Sequence, residues 1–164
     1  MNIKEAIAYW KLDMLGSEEI PKVAVSALES GMDSECLREL ASETELEMSN
    51  LGPLFKQCIK SLKINIPTEQ EAVYEIARYL SKKIISKELT PYEGAEKILD
   101  AYYQVDNTDE IDSLLVFSGL TSQINDFGDK VNIDFYGQEH CLRVQKETEQ
   151  EIIKEANNLL NDGK

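Results

Sequence analysis

The sequence predicts an all-α protein, a single irregular bundle of about seven helices with a central αα-hairpin. The bundle is expected to take in residues 1–164 as one domain, with the hairpin at roughly 68–103. Three observations carry this. Apolar residues recur at spacings of three and four along most of the chain, the period of one helical face. Two helix starts are spelled out within one stretch, from Ile66 to Tyr103. The one alternating segment, KVNIDFYG, has no partner strand.

The hairpin is the most explicit element. Thr68 follows Pro67 and has Glu71 three residues on, so its hydroxyl can accept the Glu71 N–H while the carboxylate accepts the Thr68 amide. The same pair returns as Thr90 and Glu93, with Pro91 at the first helical position, where its missing N–H costs nothing. The first helix should bury Val73, Ile76, Ala77, Leu80 and Ile84, and the second Ala95, Ile98, Leu99 and Tyr102. Their connector, Ser86 to Leu89, is short, which favours antiparallel neighbours.

Upstream, Ile3, Ile7, Trp10 and Met14 form one stripe, with Asn2 and Glu5 as a cap pair and Gly16 as the stop. A second helix follows Ser17, Glu18 and Glu19, carries Pro21 in its first turn, and ends at Gly31. Asp33 or Ser34 caps a third, with Leu37, Leu40 and Ala41 inward. Ser49 and Pro53 are expected to open a fourth, burying Leu54, Phe55, Cys58, Ile59 and Leu62 and leaving Lys56, Lys60 and Lys63 wet.

Two stretches, VSALESGMDSECLRELA at 25–41 and ARYLSKKIISKELTPYEGA at 77–95, resemble short bacterial proteins with no established activity. The resemblance implies an all-helical cytosolic protein and supplies no catalytic residue.

After Tyr103 the pattern weakens. Asn107 or Thr108 is expected to cap a helix carrying Ile111, Leu114, Leu115 and Phe117, with Gly119 as its end. KVNIDFYG alternates Val131, Ile133 and Phe135, as a strand would; without a partner it is expected to be loop or a helical turn. The final helix should run from about Gln138 to Leu160, with Ile152, Ile153, Ala156, Leu159 and Leu160 on its apolar face.

Composition narrows the function classes. The chain has 31 Asp and Glu against 17 Lys and Arg, a net charge of −14. Such a charge repels a phosphate backbone, so nucleic acid is not an expected ligand, and a basic protein is the partner it would attract. No apolar run approaches the length of a membrane span, and the opening MNIKEAIAYWK, with Glu5, does not read as a signal peptide. A cytoplasmic protein is expected. Cys36, Cys58 and Cys141 are odd in number and without a CxxC pair, so they read as reduced, buried small hydrophobes.

The candidate chemistry is sparse. Asp106, Asp109, Glu110 and Asp112 invite a calcium reading, but a loop begun at Asp106 meets Ile111 where a turn glycine is needed and Phe117 where a bidentate acid is needed. Asp126, Phe127 and Gly128 match the kinase metal tripeptide with none of its companion motifs. His140, the sole histidine, lies between Glu139 and Cys141, which diverge on a helix. A Cys–His pair of Cys36 or Cys58 with His140 remains conceivable only through space. Arg78, Lys82, Lys83 and Lys87 give the first hairpin helix a basic outer side, read as a solvated face. Most aromatics of the C-terminal half should be core.

No metal, cofactor or catalytic residue is therefore expected. The preferred reading is a non-enzymatic protein-binding module, an acidic inhibitor or immunity-type protein masking a basic partner. Its candidate binding residues are Tyr103, Asp106, Asp109, Glu110, Asp112, Phe135 and Tyr136, an aromatic-anchor and charged-rim composition if the rings are exposed. The alternatives are a small enzyme whose acids meet His140 only in the fold, and a self-associating structural subunit.

Overall fold

The computed structural model describes residues 1–161. Among them are nine α-helices and one short 3-10 helix, with no strand. They divide into two compact units, Met1–Glu75 and Ile76–Lys164.

The first unit contains α1 (Ile3–Lys11), α2 (Glu19–Glu29), α3 (Glu35–Ser42) and α4 (Met48–Ser61), and the division falls within α5 (Glu69–Ile85). Asn2 and Glu5 close a full capping box on α1. The helix ends before its expected stop, because Asp13 adopts a left-handed conformation (φ 54°) and the Met14 N–H turns back to the Tyr9 carbonyl at 2.8 Å. Met14 therefore lies outside the stripe. Ser34 caps α3 as expected, accepting the Leu37 N–H at 3.3 Å.

The start of α4 differs from the reading above. Glu47, not Ser49, is the cap residue, without a side-chain cap bond, and Pro53 stands inside the helix. Asn50 and Leu51 N–H instead find the Glu47 carbonyl, each at 3.0 Å. Packing supplies the reason: Leu51, Phe55 and Ile59 are buried at i, i+4 and i+8, and that stripe outweighs a missing cap. Ile7, Ile20, Leu37 and Leu40 complete the same core, and Trp10 meets Phe55 edge-on with centroids 6.2 Å apart.

In the second unit, α5 gives way to α6 (Pro91–Tyr102) through the expected short connector. Lys87 takes φ 63° there, and the Glu88 and Leu89 N–H groups return to the Lys83 carbonyl. Gly94 lets the two helices approach. A Cβ at that position would lie 2.5 Å from Ile84 Cδ1 and closer still to Cγ1, and Ile84 is itself buried. Both predicted boxes form: Thr68 Oγ1 accepts the Glu71 N–H at 3.2 Å and Glu71 accepts the Thr68 N–H at 2.8 Å, with Thr90 and Glu93 repeating the pattern.

Beyond α6 the chain forms a 3-10 turn (Asp112–Leu115), then α7 (Val116–Gly128), α8 (Lys130–Tyr136) and α9 (Gln138–Asn161). α7 packs on α9 and on α6, and α8 rests on α7 and α9. Two expectations change here. Gly119 lies inside α7 on an exposed position, where the propensity cost of about 1 kcal/mol is outweighed by burial of Phe117. Leu115 is exposed, because the 3-10 turn points Leu114 inward in its place.

Of the two forms expected for KVNIDFYG, loop or a helical turn, the helical one is present, extended to a helix of seven residues. Asp129 accepts the Val131 N–H at 3.2 Å at its start, and Gly137 at φ 86° lets the chain turn directly into α9.

Two substitutions test this framework. Thr90→Ala should cost about 1 kcal/mol of unfolding free energy through loss of the cap. The hydrogen bonds from the Thr90 hydroxyl and amide hold the Glu93 carboxyl below its ordinary 4.5. That part of the stabilisation is present above pH 4.5 and is lost as pH falls through the lower folded value, so urea titrations should show the deficit of the variant shrinking in acid. Gly94→Ala should destabilise by about 1–2 kcal/mol despite the better helix propensity of alanine. Combined with Ile84→Ala it should cost less than the sum of the single changes, a coupling that denaturation of the four proteins measures directly.

Candidate functional site

The expected binding residues fall into two groups, each built by a different local device. The first is the acidic loop. Val105, Ile111 and Leu114 are buried and pin it at both ends, so the carboxylates of Asp106, Asp109 and Glu110 are turned to solvent. Ile111 and Phe117, the residues that break the calcium pattern, are core side chains with no exposed surface. Asn107 does not cap a helix. Its Oδ1 accepts the Asp109 N–H at 3.3 Å in a turn, and the helix waits until the 3-10 segment is complete.

One buried tyrosine ties this loop to α6. The Tyr102 hydroxyl donates to Asp112 Oδ1 at 3.0 Å. A bond with Thr108 draws the phenol's pKa down, but burial and the Asp112 carboxylate outweigh it and hold it above its ordinary 10.0. Tyr103 stacks edge-on against Tyr102 at 5.4 Å and remains 64% exposed.

The second group is centred on α8. Its period-two apolar pattern maps onto a helix so that Val131 and Phe135, four apart, share the wet side, while Ile133 is half-buried. No residue of α8 is fully buried. Phe135 is 78% exposed and Val131 72%, and Leu142 at the start of α9 is exposed as well. Phe135 packs edge-on against Tyr136 at 4.7 Å, and Tyr136 in turn meets Phe127 and His140 at 5.8 and 5.7 Å. The expectation that most of these aromatics are core is corrected: Tyr102 and Phe117 are buried, Phe127 is half-buried, and Tyr103, Phe135 and Tyr136 face solvent. Val131 was readable from its spacing to Phe135, but only once the segment is known to be helical.

The surroundings of His140 are modest. Arg143 donates to its Nδ1 at 2.9 Å, and Phe127 and Tyr136 flank the ring. The surface depression beside it is lined by Tyr136, Gln138, Glu139 and Arg143, which brings one acid, not two, to the histidine. Cys36 and Cys58, its conceivable partners in a catalytic pair, are engaged instead with Ser34 and Ser61 and with each other. Among the described residues no three His, Cys, Asp or Glu side chains converge as a metal site would require. On α5, Lys83 leans over the Tyr79 ring at 5.0 Å and lies 3.9 Å from Glu88, so part of the basic side is locally engaged. Among the described residues no helix is long and apolar enough to cross a membrane.

No family model, no curated protein and no solved structure matches the chain.

The Tyr102 tether has a direct consequence. Tyr102→Phe should speed hydrogen exchange at the Ile111 and Leu114 amides, which close the loop on the Thr108 and Ile111 carbonyls, while exchange in α9 stays unchanged. Unaltered exchange at those two amides would mean that the hydroxyl does not order the acidic loop.

Proposed function

We propose that the protein is a non-enzymatic binding module of the cytoplasm, an acidic inhibitor or immunity-type protein that masks a basic protein partner. One observation carries the reading: α8 presents Val131, Phe135 and Tyr136 to solvent on a chain of net charge −14. Exposing large rings is unfavourable for an isolated protein, and aromatic residues are the side chains most often found as anchors at protein interfaces. Tyr103 and the carboxylates of Asp106, Asp109, Glu110 and Asp112 supply a second anchor and acidic groups suited to a basic partner. Acidic charge raises the rate of encounter with such a partner, and buried rings slow its release.

The test is to recover the native protein from its host at low salt and identify what accompanies it. A stoichiometric basic protein is expected, with association slowing steeply as salt rises from about 50 to 500 mM. The double substitution Phe135→Ala and Tyr136→Ala should weaken that complex by about thirtyfold or more, with helicity by circular dichroism retained. Absence of any stoichiometric companion at low salt would count against the proposal. Light scattering at two concentrations separates it from self-association, in which the same rings would pack against a second copy.

A further inference from the structure

The three cysteines are not equivalent. Cys141 is buried and its thiol is directed at the Asn132 carbonyl at 3.6 Å. Cys36 and Cys58, separated by 22 positions in sequence, are brought near each other where α3 packs on α4, with Ser61 Oγ 3.0 Å from both the Cys36 sulfur and the Cys58 carbonyl oxygen. Cys36 is the second residue of α3 and is half-exposed, whereas Cys58 has no exposed surface.

A polar collar surrounds the Cys36 sulfur. Ser34 Oγ lies 3.3 Å away and Ser61 Oγ 3.0 Å away, while the Cys58 thiol and the Leu37 N–H complete the set. Partial burial alone would raise the Cys36 pKa, but these hydrogen bonds outweigh it and leave the thiol below its ordinary 9.0. Burial drives Cys58 in the opposite direction, reinforced by the hydrogen bond to Cys36 and by the charge of Glu39. The accessible Cys36 thiol is therefore the one an oxidant meets first, and the sheltered Cys58 thiol, which must give up its proton as it attacks, lies next to the product.

We propose that Cys36 and Cys58 form a redox-reactive dithiol, in which Cys36 is oxidised by a hydroperoxide and Cys58 resolves the product to an intramolecular disulfide. In the first step the Cys36 thiolate attacks a peroxide oxygen. A sulfur–oxygen bond forms, the oxygen–oxygen bond breaks, and the departing oxygen takes up a proton to leave as an alcohol or, from hydrogen peroxide, as water. Sulfur is oxidised by two electrons to the sulfenic acid, and the peroxide is reduced by the same two. In the second step the Cys58 sulfur displaces hydroxide from Cys36, its proton leaves with the hydroxide as water, and the sulfur–sulfur bond links α3 to α4. An external dithiol reverses the link by thiol–disulfide exchange. Such a bond in a reducing compartment is of the transient, sensing kind.

The experiment uses the full reduced chain treated with hydrogen peroxide and mapped by mass spectrometry. The expected result is a linked peptide pair containing Cys36 and Cys58, with a loss of two hydrogens, reversed by dithiothreitol, and with Cys141 unmodified. Before oxidation, iodoacetamide should label Cys36 about tenfold faster than Cys58 or Cys141 at neutral pH. In Cys58→Ser, a sulfenic acid at Cys36 should accumulate and be trapped by dimedone; in Cys36→Ala, neither the link nor a sulfenic acid at Cys58 should appear. Oxidation of wild-type Cys36 directly to the sulfinic acid without a link to Cys58 would overturn the proposal, as would Cys141 labelling as fast as Cys36. The wild-type mapping decides the matter even where a variant folds poorly.

Discussion

Each helix begins by exposing N–H groups that nothing within the helix can satisfy, and much of this protein follows from where those groups are met. At Asn2, Thr68 and Thr90 a side-chain oxygen and a glutamate three residues on satisfy two of them reciprocally. Ser34 and Asp129 satisfy one with a single bond. Because the cap fixes the first residue of the helix, it fixes the angular position of every residue after it. The apolar stripes of α1, α3, α5 and α6 are therefore set from their first turn.

Where that device is absent, packing takes over, and the structure is less regular. α4 starts at an uncapped Glu47 and carries an internal proline, held by Leu51, Phe55 and Ile59. α7 starts from a 3-10 turn and carries Gly119, held by Phe117 and by its contact with α9. α8 has caps at both ends but almost no core of its own, so its rings remain at the surface. The candidate binding surface and the least self-sufficient helix coincide for one reason: a seven-residue helix has too few positions to bury one face and still dock firmly.

The same logic separates the two candidate chemistries. The aromatic and acidic surface depends on side chains that the fold leaves outside, with Tyr102 as the buried link that orders the acidic part. The thiol pair depends on side chains that the fold brings together, through a cap serine and the close packing of two helices. Neither uses His140, whose ring is occupied by Arg143 and two aromatic neighbours.

The helical class, the hairpin and the last helix were legible in the sequence, because caps and stripes are local and leave a local trace. Thr68, Thr90, Pro91 and the run from Gln138 needed no knowledge of any distant residue. The acidic loop was legible for a similar reason, since Ile111 and Phe117 visibly broke a ligand pattern. What tertiary structure alone decided lay in ambiguous periods and in long separations. A period of two over seven residues fits a strand or the two opposite sides of a short helix, and only docking on α7 and α9 chose the helix and turned Phe135 outward. The approach of Cys36 to Cys58 has no local trace, because it arises from the packing of α3 on α4 and not from spacing along the chain.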